Sequence, residues 1–174
     1  MTNTTDTTHP ELVDLPARDV LTVDGEGGPE DPRFAAAIRA LYAVRGALGA
    51  PDDVPLEGTY QQGEDPLRFD LDASHGWRWR LAVPAPAQVA AAAVKNAAAR
   101  FGAPVHLRKQ RGRRVARLAH HGPYAEEGPS LARLYAFVAD AGLTPAGPHT
   151  EIYLNDPSTT PAAELRTILQ VPVT

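Results

Sequence analysis

The 174-residue chain contains no cysteine, which excludes disulfide bonds, thiolate metal sites and a cysteine nucleophile. No run of about 20 apolar residues occurs, so the sequence offers no membrane-spanning helix. Residues 1–9 are polar and threonine-rich, and they lack the charged-then-apolar order of a signal peptide. These features predict a cytoplasmic protein that begins with a disordered lead-in over residues 1–12.

Common catalytic and metal-binding patterns are also missing. Gly25, Gly27 and Gly28 follow an apolar segment, but the lysine and the fixed spacing of a phosphate loop are absent. No Gly-x-Ser-x-Gly elbow occurs. His121 and His149 do not stand at metal-ligand spacing with other residues, and we therefore predict no metal and no cofactor.

The formal net charge of −4 argues against nucleic acid as the main partner. One basic segment opposes this trend, because five of the seven residues from Arg108 to Arg114 are lysine or arginine. Its centre, at Gln110 and Gly112, is typical of a hairpin tip. Such a tip is either solvated or in contact with a polyanion or a protein partner.

What the sequence does contain is a repeated order of secondary structure. Alternating or β-branched segments predict strands, and apolar residues at spacings of three and four predict helices. The predicted strands cover residues 20–23, 56–62, 77–83, 105–109, 114–120, 149–155 and 166–172; the predicted helices cover 32–48, 85–101 and 129–141, with one helical turn at 161–165. The apolar content of 43% is sufficient for the core of one domain.

The order strand, helix, strand, strand occurs twice, about 90 residues apart, which is longer than the period of a solenoid. Repeat one covers about residues 17–84 and repeat two about 113–174, with an inserted helix and strand over about 85–110, all within one domain over 13–174. This order predicts an α+β fold in which two pseudo-symmetric repeats form an antiparallel sheet with helices on one side. A central cleft between the repeats is the natural place for a ligand.

Three motifs, of which the two in the C-terminal half are the more specific, suggest a family. They are Leu-Glu-Gly at 56–58, Gly-Pro-Tyr at 122–124 and Glu-Ile-Tyr-Leu at 151–154. Together with their surroundings, over nearly the whole chain, they resemble the GyrI-like (gyrase-inhibitor-like) small-molecule-binding proteins in their free-standing form. The resemblance implies two repeats that face each other across a cleft and ligands that are bulky, flat and often cationic or amphiphilic. It extends to free-standing relatives that look to be hydrolases of cyclopropane-containing, DNA-alkylating natural products.

Glu151 and Tyr153 are two residues apart on a predicted strand and therefore share one face. An unpaired buried carboxylate is costly. Glu151 is therefore either a pocket group that attracts a cation or acts as a general base, or the partner of a strand arginine such as Arg78 or Arg80. The resemblance favours the pocket, since this glutamate matches the cation-contacting one of the family.

Glu57 and Tyr60 occupy the corresponding places in repeat one. A pseudo-twofold axis would bring Glu57 and Glu151 together, which would raise the pKa of one carboxyl group and divide acid and base roles between them. Alternatively, Glu57 lies at the rim of the cleft or in a salt bridge. Tyr60 and Tyr153 could both stack on a flat ligand or place a ring face against a cation.

Four further residues complete the predicted site. Trp77 and Trp79 share a strand face and serve either as core or as ligand contacts. Tyr124 and His120 match family residues, the tyrosine at the mouth of the cleft. A single histidine there is either a hydrogen-bonded core residue or a catalytic group.

Three hypotheses for function follow. In the first, the protein binds flat, amphiphilic or cationic compounds between aromatic walls, for xenobiotic sensing or sequestration, and Glu151 complements the charge. In the second, it is a hydrolase in which Glu151 activates or positions a water, and the charge on the leaving oxygen is stabilised by Tyr60, Tyr124 or His120. In the third, the basic segment binds a macromolecule such as DNA gyrase.

Overall fold

The computed structural model describes residues 7–65 and 69–174, which form an α+β fold around an eight-stranded antiparallel sheet. The strands are β1 (Glu11–Leu15), β2 (Arg18–Glu26), β3 (Leu56–Gln62), β4 (Trp77–Pro84), β5 (His106–Gln110), β6 (Arg113–His121), β7 (Thr150–Tyr153) and β8 (Arg166–Pro172). The helices are α1 (Pro32–Ala47), α2 (Ala91–Arg100) and α3 (Glu127–Asp140). The predicted fold class is confirmed. Within the described ranges, every helix is too short or too polar to cross a bilayer.

The strand order in the sheet is β1-β6-β8-β7-β3-β4-β2-β5. The unit strand, helix, strand, strand occurs as β2-α1-β3-β4 and again as β6-α3-β7-β8. The two units have matching strand orders and meet where β3 pairs with β7. A pseudo-twofold axis therefore passes between these two central strands.

Helix α1 begins where its sequence predicts. The side chain of Asp31 accepts a hydrogen bond from the backbone N–H of Arg33, and Pro32 takes the first helical position, where its missing N–H costs nothing. Leu41 and Val44 are fully buried in the core that α1 forms with β2 and β4. Burial of each such side chain contributes about 1.5–3 kcal/mol.

Helix α3 covers the second repeat. Leu134 and Val138 pack in one apolar cluster with Leu118 of β6 and Leu169 of β8. Leu169 is the cross-strand partner of Glu151, so the helix and the Glu151 side chain lie on the same face of the sheet.

The predicted basic hairpin is wrong. Strand β5 pairs with β2 at one end of the sheet, whereas β6 pairs with β1 and β8 at the other end. The sheet curls so that its ends approach, and a Cβ atom on Gly112 would lie 3.2 Å from the carbonyl oxygen of Leu15. Arg108 and Arg114 form ion pairs with aspartates of adjacent strands. The basic residues are therefore divided between separate strands, and the macromolecular-partner hypothesis loses its structural basis.

Two further boundaries differ from the prediction. Strand β1 begins at Glu11 and pairs with β6, so the predicted lead-in is wrong at residues 11 and 12, while residues 1–6 lie outside the described residues. Helix α2 begins at Ala91 rather than at residue 85. The N–H of Ala85 instead bonds the carbonyl of Asp19, and Gln88 has a φ of 58°, which no helix accommodates.

Candidate functional site

The carboxylate of Glu151 is buried near the centre of the sheet. Glu151 lies on β7 opposite Gly58 of β3 and is 6% exposed. Tyr153 donates a hydrogen bond from its hydroxyl to Oε2 at 2.7 Å, and Nε2 of His149 lies 3.1 Å from Oε1. In the described part of the chain, no lysine or arginine forms an ion pair with this carboxylate. Each oxygen therefore has one side-chain partner, Tyr153 for Oε2 and His149 for Oε1.

A second phenol extends this hydrogen-bond chain. The hydroxyls of Tyr60 and Tyr153 are 2.6 Å apart, and because Tyr153 donates to Glu151, Tyr60 donates to Tyr153. Burial, reinforced by the charge of Glu151, raises the pKa of both phenols well above 10.0, so both stay protonated. Gly58 provides the space for this contact, since a Cβ atom there would lie 2.5 Å from the Tyr60 hydroxyl oxygen.

A second carboxyl group, that of Glu127 in the first turn of α3, approaches Glu151. Glu127 is 1% exposed, and burial together with the charge of Glu151 raises its pKa from 4.5 to about 10. It is therefore a neutral acid at pH 7. As a neutral acid it can donate a hydrogen bond to Glu151, and the hydroxyl of Thr167 also interacts with it. The site thus combines a carboxylate, a protonated acid and a buried hydroxyl in a closed space.

Aromatic rings surround these polar groups. The ring of Tyr124 packs edge-on against Tyr153 at 5.5 Å, and burial and the two glutamates raise the pKa of Tyr124 to about 12. The ring of Phe69 lies 4.6 Å from His149 and 4.7 Å from Trp77. Trp77 in turn packs edge-on against the tyrosine of β3 at 5.6 Å. Most of the predicted aromatic residues therefore gather around the carboxylate.

Trp79 and His120 have the contacts of core residues. Trp79 is 4% exposed and packs edge-on against Phe34 of α1 at 5.2 Å. Nε2 of His120 donates to the carbonyl of Pro123 at 3.1 Å, and Nδ1 lies 2.9 Å from Oγ of Ser130. Because both ring nitrogens are occupied, the geometry favours a structural role for this histidine. The predicted ligand-binding and catalytic roles of the two residues stay predictions.

Glu57 does not join Glu151. It pairs across the β3–β7 ladder with Ile152, and because adjacent strand residues point to opposite faces, Glu57 lies on the face without helices. There the guanidinium of Arg18 donates to both carboxylate oxygens, at 2.8 and 2.5 Å. The expected approach of the two glutamates is wrong because Gly58, one residue on, is the one opposite Glu151.

The face without helices carries an open cleft of about 770 Å³. The residues that line it include Thr59, Thr150, Arg78, Arg80 and Arg113. Strand alternation places the two β4 arginines on this face, so the alternative of a salt bridge to Glu151 is wrong. The sequence predicts a single central cleft, whereas the structure has two separate sites. One is a closed site around Glu151 on the helix-covered face of the sheet, and the other is an open cleft on the opposite face.

Sequence reasoning missed several residues of the closed site. His149 could have been found, since it lies two positions before Glu151 on the same strand face. Glu127, Phe69 and Thr167 carry no local signal, because their positions depend on how α3 and the connection after β3 pack. Over residues 7–65 and 69–174, no group of three His, Cys, Asp or Glu side chains is placed to hold a metal ion.

The fold recurs in solved structures of other proteins. An uncharacterized conserved protein from Listeria innocua is 28% identical, with a TM-score of 0.83 over 97% of this chain and 93% of that one. A hydrolase from Listeria innocua is 26% identical, with a TM-score of 0.83 over 98% and 94% of the two chains. SAV2435 bound to tetraphenylphosphonium is 12% identical, with a TM-score of 0.52 over 95% and 94%, a likeness in fold alone.

At the level of sequence, no significant match to a curated protein was found. The family profile of the GyrI-like small molecule binding domain matches residues 8–174, nearly the whole chain. This match includes both repeats and every strand that positions the closed site. The chain belongs to the family of GyrI-like small molecule binding domains.

Proposed function

We propose that the protein binds bulky, flat, amphiphilic or cationic compounds at the buried Glu151 carboxylate, as a sensor or a sequestering protein. One observation carries the proposal: a carboxylate that is 6% exposed and has no lysine or arginine partner in the described residues lies inside a group of aromatic rings, with His149 as its one nitrogen contact. Burying a carboxylate that no lysine or arginine pairs with is costly, and an entering cation would offset that cost. Aromatic faces would add cation–π attraction of about 0.5–2 kcal/mol.

Access to this site requires side chains to move. Tyr124 and Tyr153 are partly exposed, whereas Glu151 is buried beneath them. Tyr124 stands in the turn before α3 and would be the first ring that an incoming ligand displaces. The carboxyl group of Glu127 and the hydroxyl of Thr167 would then be available as polar contacts.

Two cationic probes, tetraphenylphosphonium and the flat dye rhodamine 6G, test the proposal by calorimetry and thermal unfolding. The Glu151→Gln variant should bind them at least tenfold more weakly, a loss of about 1.4 kcal/mol. Glu126→Gln is the matched control, because Glu126 is exposed and its substitution removes the same charge outside the site. A probe at about 100 times its Kd should stabilise the wild type by about 2.7 kcal/mol. Equal binding by all three proteins, or no binding by the wild type, would reject the Glu151 site.

Hydrolysis is a second candidate function, favoured by the carboxyl pair. Glu127 is a neutral acid beside Glu151, and the two would supply a proton donor and a proton acceptor side by side. The similarity to the hydrolase from Listeria innocua, at 26% identity over most of both chains, also supports a hydrolytic function.

The substrate class would be a cyclopropane fused to a conjugated dienone. Glu151 would take a proton from a water whose oxygen bonds to a cyclopropane carbon. The carbon–carbon bond breaks, and its electron pair passes through the ring system to the carbonyl oxygen, which becomes a phenolate. Glu127, or the phenol of Tyr60 or Tyr124, would stabilise that oxygen, and a proton from Glu127 would complete the phenol product.

A simple spirocyclopropyl dienone, followed by the loss of its dienone absorbance, tests this reaction. Glu127→Gln keeps a neutral side chain of the same shape, so it should bind tetraphenylphosphonium as the wild type does. Its rate of hydrolysis should fall by about 10²–10⁴, the usual contribution of a general acid. A wild-type rate equal to that in buffer would reject hydrolysis and leave the binding proposal standing.

A further inference from the structure

The cleft on the helix-free face is a second site, separate from the one around Glu151. Its volume of about 770 Å³ falls within the range of roughly 300–1,000 Å³ that is usual for small-molecule pockets. Gln61 and Gln110 line it and offer amide groups. We propose that this cleft binds a small anion, a carboxylate or a phosphate, through the guanidinium of Arg113.

Arg113 is a cation without a counter-ion in the part of the chain that the structure describes. Its side chain is half-buried, and its Nε atom is buried with no hydrogen-bond partner. Burial and the neighbouring Arg18 lower its pKa, although a guanidinium remains charged at neutral pH. Glu57, the carboxylate that interacts electrostatically with Arg113, is already held by both terminal nitrogens of Arg18. An anion is the partner that such a group lacks, since guanidinium binds carboxylates and phosphates through paired N–H donors.

Besides Arg113, the cleft lining contains two arginines, Arg78 and Arg80, and two carboxylates, Asp24 and Glu26. Asp24 is bound by Arg80 at 2.6 Å and by Arg108 at 3.1 Å. Arg78 forms an exposed ion pair with Glu64 at 3.5 Å and has the exposed Glu26 as its cross-strand neighbour. The inner part of the cleft therefore carries one uncompensated positive charge, which favours a ligand with one or two negative charges.

The floor of the cleft adds polar groups that are not fully used. The hydroxyls of Thr59 and Thr150 are 2.8 Å apart, so one donates to the other and one hydroxyl hydrogen remains free to donate to a ligand. Beside this floor, Gln170 pairs with Thr150 across the β7–β8 ladder and is 1% exposed. Its carbonyl oxygen has no partner among residues 7–65 and 69–174. These groups favour an anion that also carries hydroxyl groups.

Nuclear magnetic resonance of ¹⁵N-labelled protein tests the proposal with sodium benzoate and inorganic phosphate as probes. Saturating shifts are expected in the Nε–Hε signal of Arg113 and in the backbone amides of Thr59, Thr150 and Gly147. Arg113→Gln should weaken binding at least tenfold, as expected for the loss of a charge-assisted hydrogen bond. Arg111→Gln is the matched control, because Arg111 is exposed, two residues away and outside the cleft lining. The probe that saturates at the lower concentration identifies the ligand class as carboxylate or phosphate.

Three results would overturn the proposal. They are shifts that rise without saturation, equal binding by wild type and Arg113→Gln, and a loss of binding in Arg111→Gln as large as that in Arg113→Gln. If Arg113→Gln does not fold, the Nε–Hε signal of the wild type decides the question alone. Glu151→Gln should still bind the anions in the cleft, with saturating shifts of the Arg113 Nε–Hε signal, so a failure of the closed site and a failure of the cleft can be told apart.

Discussion

Replacing Glu127 with glutamine should make the protein more stable at neutral pH. The substitution keeps the shape and the neutral state of the folded side chain. The amide N–H of glutamine can also replace the carboxyl O–H as the hydrogen-bond donor to Glu151. The gain arises because the unfolded wild type releases a proton that the folded protein must keep.

The size of the effect follows from the two pKa values of Glu127, which are 4.5 as the ordinary value and about 10 in the folded protein. Between these values the folded state binds more protons than the unfolded state, so the free energy of unfolding falls as the pH rises. The fall is about 1.4 kcal/mol per pH unit, which amounts to about 3 kcal/mol at pH 7 and less than about 1 kcal/mol at pH 5. The stability is fully present below pH 4.5 and is lost progressively toward pH 10. Glu127→Gln lacks this dependence.

Urea unfolding at several pH values between 5 and 8, followed by tryptophan fluorescence, measures the difference. The free-energy gap between Glu127→Gln and wild type should widen with pH in this range. Glu126→Gln is the control and should follow the wild type at every pH, because Glu126 is exposed. A destabilised Glu127→Gln variant, or a gap that stays constant with pH, would refute the reasoning.

Three further substitutions test the packing on the two faces of the sheet. Gly58→Ala should displace the Tyr60 ring, because the new Cβ atom would lie 2.5 Å from the Tyr60 hydroxyl oxygen, and should lower the stability in thermal unfolding by about 1–3 kcal/mol. Gly76→Ala is the control, because its nearest contact is at 3.6 Å. Equal stability of the two variants would contradict this prediction. Tyr60→Phe removes one buried hydrogen bond and should lower the free energy of unfolding by about 1 kcal/mol, so an unchanged urea midpoint would count against the bond. Arg18→Ala leaves Glu57 buried and unpaired and should lower the free energy of unfolding by about 2–3 kcal/mol, at the low end for a buried pair since the Arg18 side chain is 33% exposed. Replacing both residues with methionine should recover most of that loss. A loss near zero in Arg18→Ala would contradict the prediction.

Individual strands and helices could be predicted because each depends on its own residues. Strand β3 at Leu56–Gln62 and β8 at Arg166–Pro172 begin and end where alternation predicts, and α1 begins at the Pro32 that follows its cap. Strand pairing is not local in this way. Strands β5 and β6 are separated by two residues, yet they pair at opposite ends of the sheet. The curl of the sheet decides that arrangement, and no short segment encodes it.

The same distinction applies to the closed site. Glu151 and Tyr153 share a strand face by simple alternation, so their grouping could be predicted. Alignment of the two repeats by sequence predicts that Glu57 corresponds to Glu151. In the β3–β7 ladder, however, Glu151 lies opposite Gly58, which is one residue further along β3. A displacement of one residue changes the face of every side chain. The burial of Glu127 depends on the docking of α3, and acidic residues in a first helical turn are ordinarily favoured at the surface.

Strands β3 and β7 form a wall one sheet thick between the closed site and the open cleft. The consecutive residues Thr150 and Glu151 belong to its two sides. A cation on one side and an anion on the other would attract each other through this wall by on the order of 1 kcal/mol, for charges about 15 Å apart at an effective dielectric constant of about 20. Thermodynamic reciprocity then requires each ligand to raise the affinity of the other by the same factor. A single domain would in this way bind two molecules of opposite charge with positive cooperativity and respond most strongly when both are present.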